Sequence, residues 1–141
     1  MTNLDVVKTW FQRVYTDEDL SAVDEMLEPR TEALGLAEHP LMGPEDFKGF
    51  VSGFLALLGN VRIAIDKSME DGEWIHVLIT VTGNGRKSDK MVRFPAQILV
   101  RIVDGKLVEG HNSVDFLSMF EQLGLLPDNA FATCFSGKPI G

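Results

Sequence analysis

From Val61 to Val114 apolar residues fall on every second position in one run after another, and a chain patterned this way can bury them only as a sheet with one greasy face. Val61, Ile63 and Ile65 alternate with Arg62, Ala64 and Asp66. Ile75, Val77, Ile79 and Val81 alternate with His76, Leu78, Thr80 and Thr82. Val92, Phe94, Ala96, Ile98, Val100 and Ile102 form the third run, and Lys106 to Val114 the fourth. Turns are expected at Glu70-Asp71-Gly72, in the polar loop from Gly83 to Lys90 with its Asn84-Gly85 pair, and at Asp104-Gly105. The pattern predicts an antiparallel meander.

The first half has the helical period instead. Leu4, Val7, Phe11 and Val14 make one stripe of a helix over residues 3–16, with Asn3 or Thr2 as its cap. A second helix is expected over 17–27, its first turn carrying Asp17, Glu18 and Asp19, until Pro29 stops it. Thr31 to Leu36 reads as a short strand. Pro44 opens a third helix, whose stripe of Phe47, Phe50, Val51, Phe54, Leu55 and Leu58 ends at Gly59-Asn60. Three helices and then a meander predict an α+β domain in which a curved sheet folds its apolar face over the helices and encloses a pocket. Residues 1–127 make that domain. Residues 128–141 make a tail that Phe131 and Phe135 fit for packing on the domain or on a second copy.

Composition narrows the partners. Twenty-one acidic against thirteen basic residues leave a net charge of -8, the wrong sign for nucleic acid or an anionic membrane. No stretch reaches the roughly 20 apolar residues of a membrane span, and the N-terminal MTNLDVVKTWF has no signal-peptide pattern. One cysteine, Cys134, makes no internal disulfide and suits a reducing cytoplasm. Three scattered histidines offer no metal-ligand spacing, and no glycine-rich phosphate loop or Gly-x-Ser-x-Gly elbow occurs. Neither metal nor cofactor is expected.

Several short motifs, taken in order, resemble the SnoaL-like polyketide cyclases of the nuclear-transport-factor-two-like cone fold. They are Gly43-Pro44-Glu45-Asp46-Phe47, Thr80-Val81-Thr82-Gly83, the run Arg101 to Gly110, Asn112 with Asp115, and Gln122 to Pro127. The resemblance implies a cone-shaped pocket for a polyketide-like or terpenoid-like ligand. It also implies an aspartate near the end of the last strand as acid/base in a cofactor-free cyclisation, and a homodimer formed through the outer sheet face. Ile98 to Ile102 and Phe131 to Phe135 supply apolar surface for such a dimer. Three departures stand out: Leu34 where relatives often carry histidine, His111 where they usually carry tryptophan, and a short loop at Gly83 to Lys90.

Asp115 matches that aspartate. It lies between Val114 and Phe116, and a carboxylate among apolar groups is expected to have its charged form disfavoured and its pKa raised into the working range of a general acid or base. Its other reading is the N-cap of a helix starting at Phe116. His111, four residues earlier, shares its strand face about 13 Å away and is a second candidate acid. Asn112 points the other way and is expected to make a structural hydrogen bond. Trp10, Phe11 and Tyr15 of the first helix are expected to line the pocket or to serve as plain core. So are Phe50 and Phe54 of the third helix, with Ile79 and Phe94 of the sheet. Two functions follow: a cofactor-free cyclase or isomerase acting through Asp115, or a non-catalytic domain that binds a small hydrophobic ligand or dimerises.

Overall fold

A computed structural model describes all residues from Met1 to Gly141. Its element order is α1 (Asn3–Trp10), a π-helical turn (Phe11–Thr16), α2 (Ser21–Met26), β1 (Leu27–Leu34), β2 (Leu41–Met42), α3 (Gly43–Leu57), β3 (Leu58–Asp71), β4 (Trp74–Gly85), β5 (Met91–Val103), β6 (Lys106–Val114), α4 (Phe116–Gln122) and α5 (Ala130–Phe135). The fold is α+β: one curved six-stranded sheet, ordered β2-β1-β6-β5-β4-β3 and not closed, with helices against its concave face. The alternation in β4 is complete, with Ile75, Val77, Ile79 and Val81 buried, and Val92, Phe94 and Ala96 of β5 lie beside them on the same face.

Thr2 caps α1 and is its true N-cap: its hydroxyl accepts from Asp5 N while the Asp5 carboxylate accepts from Thr2 N. The helix then widens, with Asp17 N donating to Gln12 O at 2.8 Å, an i→i+5 bond. This wider turn lies inside the single helix that the 3.6-residue stripe predicts.

Three expectations are corrected. The second helix starts at Ser21, not Asp17, because Glu18 adopts φ +55 and Asp19 turns its carboxylate onto Ser21 N and the Arg13 guanidinium. Asn84-Gly85 is strand, and the hairpin turn falls after it, at Arg86–Ser88. The sheet is mixed, since β1 pairs with β6 in parallel. Pro29 sits inside β1, which starts where the second helix was expected to end, because the β1–β6 register is interrupted between Leu27 and Glu32 and no ladder bond there needs its missing N–H. The Asp104-Gly105 turn has φ +52 and +76, the double positive φ of a tight primed hairpin.

β6 leaves the sheet at a defined place. The Pro95 carbonyl of β5 accepts from Asp115 N at 3.2 Å. In an antiparallel ladder one residue's N–H and C=O face the same neighbour, so the N–H that Pro95 lacks is one a longer β6 would need. Past that point Gln122 of α4 replaces the strand. Its side chain accepts from Arg93 N at 2.8 Å and donates to Arg93 O at 2.7 Å.

Candidate functional site

The concave face and the helices do not meet completely. Between them lies a pocket with a cavity of about 80 Å³. Trp10, Phe11 and Tyr15 enter its wall from the first helix, Phe50 and Phe54 from α3, and Ile79 and Phe94 from the sheet. Twenty of its twenty-four lining residues are hydrophobic, so whatever binds there is held mainly by desolvation. The aromatic rings brace one another: Trp10 meets Phe47 edge-on at 5.2 Å, Tyr15 meets Phe54 at 5.6 Å, and Phe50 contacts Phe47, Phe54 and Phe116.

Thr31, Glu109 and Asn112, with the hydroxyl of Tyr15, are the polar groups along this wall, and they differ in what they can offer. Thr31 is buried and occupied: its hydroxyl lies 2.8 Å from Leu107 O and 2.6 Å from Glu28 O. Asn112 donates from Nδ2 to Leu34 O at 2.8 Å, tying β6 to the end of β1, while its amide oxygen receives no bond from the protein. Glu109 borders the pocket, but its carboxylate accepts from His111 Nε2 at 2.6 Å. Residues two apart on a strand share a face, so this contact lies on the outer side of the sheet with His111. Tyr15 is the group without a protein partner. It is 9% exposed, burial pushes its phenol well above the usual tyrosine value, and its hydroxyl, which bonds to no group of the chain, is not fully enclosed.

A bulge at Val108 sets which β6 residues face inward. Arg101 pairs with Glu109 and Ile102 with Leu107, leaving Val108 unmatched. Gly110, Asn112, Val114 and then Phe116 line the pocket. His111, Ser113 and Asp115 therefore face out. Asp115 is exposed and lies outside the lining, and its Oδ1 accepts from Ser118 N at 3.0 Å as the N-cap of α4. The expectation of a carboxylate in a greasy hollow is thus corrected: Val114 and Phe116 turn into the pocket because Asp115 turns away from it. The expectation of His111 as a pocket acid is corrected for the same reason. Its ring lies 6.2 Å from Trp74 on the outer face. His76 is on that face as well, with Nε2 3.1 Å from Gln97 Oε1. His39 is in an exposed loop, and Leu34 contributes its carbonyl, whereas Leu36 lines the pocket.

Residue reasoning missed Asn112 as a wall residue. The signal was available in its two-residue spacing from Gly110 and Val114. No group of three or more His, Cys, Asp or Glu side chains is placed to hold a metal ion. No helix is long and apolar enough to cross a membrane.

A curved open sheet over helices, with an aromatic hollow between them, defines a cone-fold domain of the ketosteroid-isomerase-like class. Solved structures agree on the fold. A candidate SnoaL-like polyketide cyclase from Jannaschia sp. CCS1 superposes with TM-score 0.77 at 18% identity, over 89% of this chain and 93% of that one. A protein of ketosteroid isomerase-like fold from Catenulispora acidiphila DSM 44928, solved with trimethylamine, gives 0.77 at 18%, over 90% and 98%. An LEH-like epoxide hydrolase from M. tuberculosis gives 0.67 at 16%, over 95% of each chain. No curated protein matches by sequence. The family model for SnoaL-like polyketide cyclase matches residues 5–123, and the chain belongs to that family.

Proposed function

We propose that this chain is a small-ligand-binding member of the SnoaL-like family, taking a compact apolar molecule of about one ring that carries a hydrogen-bond acceptor. The observation that carries this reading is the pocket's lining: it holds no histidine, and the one carboxylate at its edge is turned onto His111. Cyclisation through Asp115 would need that side chain inside, and it caps α4 outside. Size points the same way. A cavity of about 80 Å³ is smaller than the roughly 150 Å³ space that takes benzene in an engineered core, so one ring enters only if the partly open aromatic wall gives a little, and a fused polycycle would need it to give far more. Tyr15 supplies the directing group, a neutral phenol donating to the ligand's oxygen, and the Asn112 amide oxygen stands available to a ligand donor.

No cofactor enters this reading. The same reading includes a homodimer through the outer sheet face, where Leu99 is 38% exposed beside half-buried Trp74 and Leu78. A cytoplasmic location is its natural setting, given an exposed, unpaired Cys134.

The test is a calorimetric titration with acetophenone and with ethylbenzene, which share a ring but not a carbonyl. Acetophenone should bind more tightly, and Tyr15→Phe should weaken it about fivefold while leaving ethylbenzene unchanged, the effect of one hydrogen bond of roughly 1 kcal/mol. Asp115→Asn should alter neither. Absence of binding by both compounds would sink the reading.

A further inference from the structure

The aromatic pocket has a neighbour on the other side of one thin wall. A second hollow of about 440 Å³, open to solvent, runs between the π-helical turn and β3, the last strand of the sheet. Phe11 and Ile63 line both hollows, so a single layer of side chains separates them. Phe11 begins the π-helical turn, a rare local geometry that recurs at functional sites. Ile63 is only half-buried.

The charges in the second hollow run against the rest of the chain. The molecule carries -8, yet the only charged residues lining this hollow are Lys8 and Arg62. Neither takes part in an ion pair with a carboxylate within 4 Å. Arg62 donates to its neighbour's carbonyl, Val61 O, at 3.0 Å. The acids nearest in sequence already have partners: Asp5 in the Thr2 capping box, one turn before Lys8 and within reach of its charge, and Asp66, four residues after Arg62, which accepts from the Thr80 hydroxyl at 2.6 Å. Two exposed cations with no carboxylate within 4 Å, beside the apolar side chains of Phe11, Ile63 and Ile65, match an anionic head on an apolar stem.

We propose that the two hollows form one site for an amphiphilic organic acid, an aryl or short-chain carboxylate. The ring sits in the aromatic pocket, the stem passes between Phe11 and Ile63, and the carboxylate rests between Lys8 and Arg62. This assignment rests on the pocket reading above and adds the head-group subsite to it.

The experiment compares 4-phenylbutyrate with 4-phenylbutan-1-ol by calorimetry at low salt, using the full chain. The acid should bind about tenfold tighter, as expected from two modest exposed charge contacts. That preference should vanish in 0.5 M NaCl and in the Lys8→Gln/Arg62→Gln variant, whose affinity for the alcohol should be unchanged. A Lys87→Gln/Lys90→Gln variant, altered in the distant β4–β5 hairpin, should keep the preference. Equal binding of acid and alcohol by the wild type, or a preference that survives loss of Lys8 and Arg62, overturns the head-group subsite while leaving the pocket standing. If neither compound binds, both readings fall.

Discussion

Asp115 illustrates how sequence neighbours mislead at a strand end. Residues flanking a strand position face the opposite side, so apolar flanks place the middle residue outside. Its work is capping, and the prediction follows directly. Asp115→Ala should cost about 1 kcal/mol in urea unfolding, and Asp115→Asn much less, because asparagine caps nearly as well. A loss from Asp115→Asn as large as that from alanine would contradict a capping role. Tyr15 offers a cleaner reading, being the only tyrosine in the chain. Burial raises its phenol above the ordinary value near 10. The folded state therefore holds the proton that the unfolded state releases, and the contribution to stability is full below that ordinary value and shrinks as pH climbs past it. At pH 11 the folded protein should show little tyrosinate absorbance at 295 nm, and denaturant should bring it up fully. Tyrosinate at half its final amplitude near pH 10, with far-ultraviolet dichroism still native, would place the phenol in water instead.

At the level of elements, the sheet runs and the two long helices were legible because each buries a face at its own period, as Ile75 to Val81 and Phe47 to Leu55 do. What was not legible depends on contacts distant in sequence. The parallel pairing of β1 with β6 joins residues more than seventy positions apart, and the π-helical turn leaves the side-chain pattern of Phe11 and Tyr15 unchanged. The pocket face of β6 is a third case: alternation from Gly110 onward separates Asn112 from Asp115, but the Val108 bulge means that Leu107 cannot be used to tell which of the two sides faces in. Two substitutions probe these joints. Gln122→Ala removes both bonds to the Arg93 backbone and should lower stability by about 1–2 kcal/mol, read as a shifted urea midpoint with an unchanged slope. Gly35 lies just past β1 at φ +88, and a Cβ there would stand 1.8 Å from Asn112 O. Gly35→Ala should therefore cost at least about 2 kcal/mol, through strain and displacement of β6 together. A near-neutral result would mean that the β1–β6 junction is looser than its geometry.

Across the whole molecule, stability and binding draw on the same rings. Phe50 is half-buried and touches Phe47, Phe54 and Phe116, so it joins α3 to the start of α4 across the pocket. Arg86 holds the far end of α3, donating to Leu55 O and pairing with Glu18 at 2.8 Å, so the helix is fixed whether or not the pocket is full. Removing the Phe50 ring should then open space without releasing α3. Phe50→Ala should lower stability by about 2–4 kcal/mol, near or below the usual range for phenylalanine because the site is only partly enclosed. The enlarged hollow should accept naphthalene, which the native pocket is too narrow to hold. A ligand that binds only the folded state stabilises it by RT ln(1 + [L]/Kd), so saturating naphthalene should raise the melting temperature of Phe50→Ala and leave that of the wild type where it was. The comparison is made by scanning calorimetry on both proteins at one naphthalene concentration. Equal shifts in the two would show that the native rings already part for a two-ring body, and the size limit placed on the ligand would then be wrong.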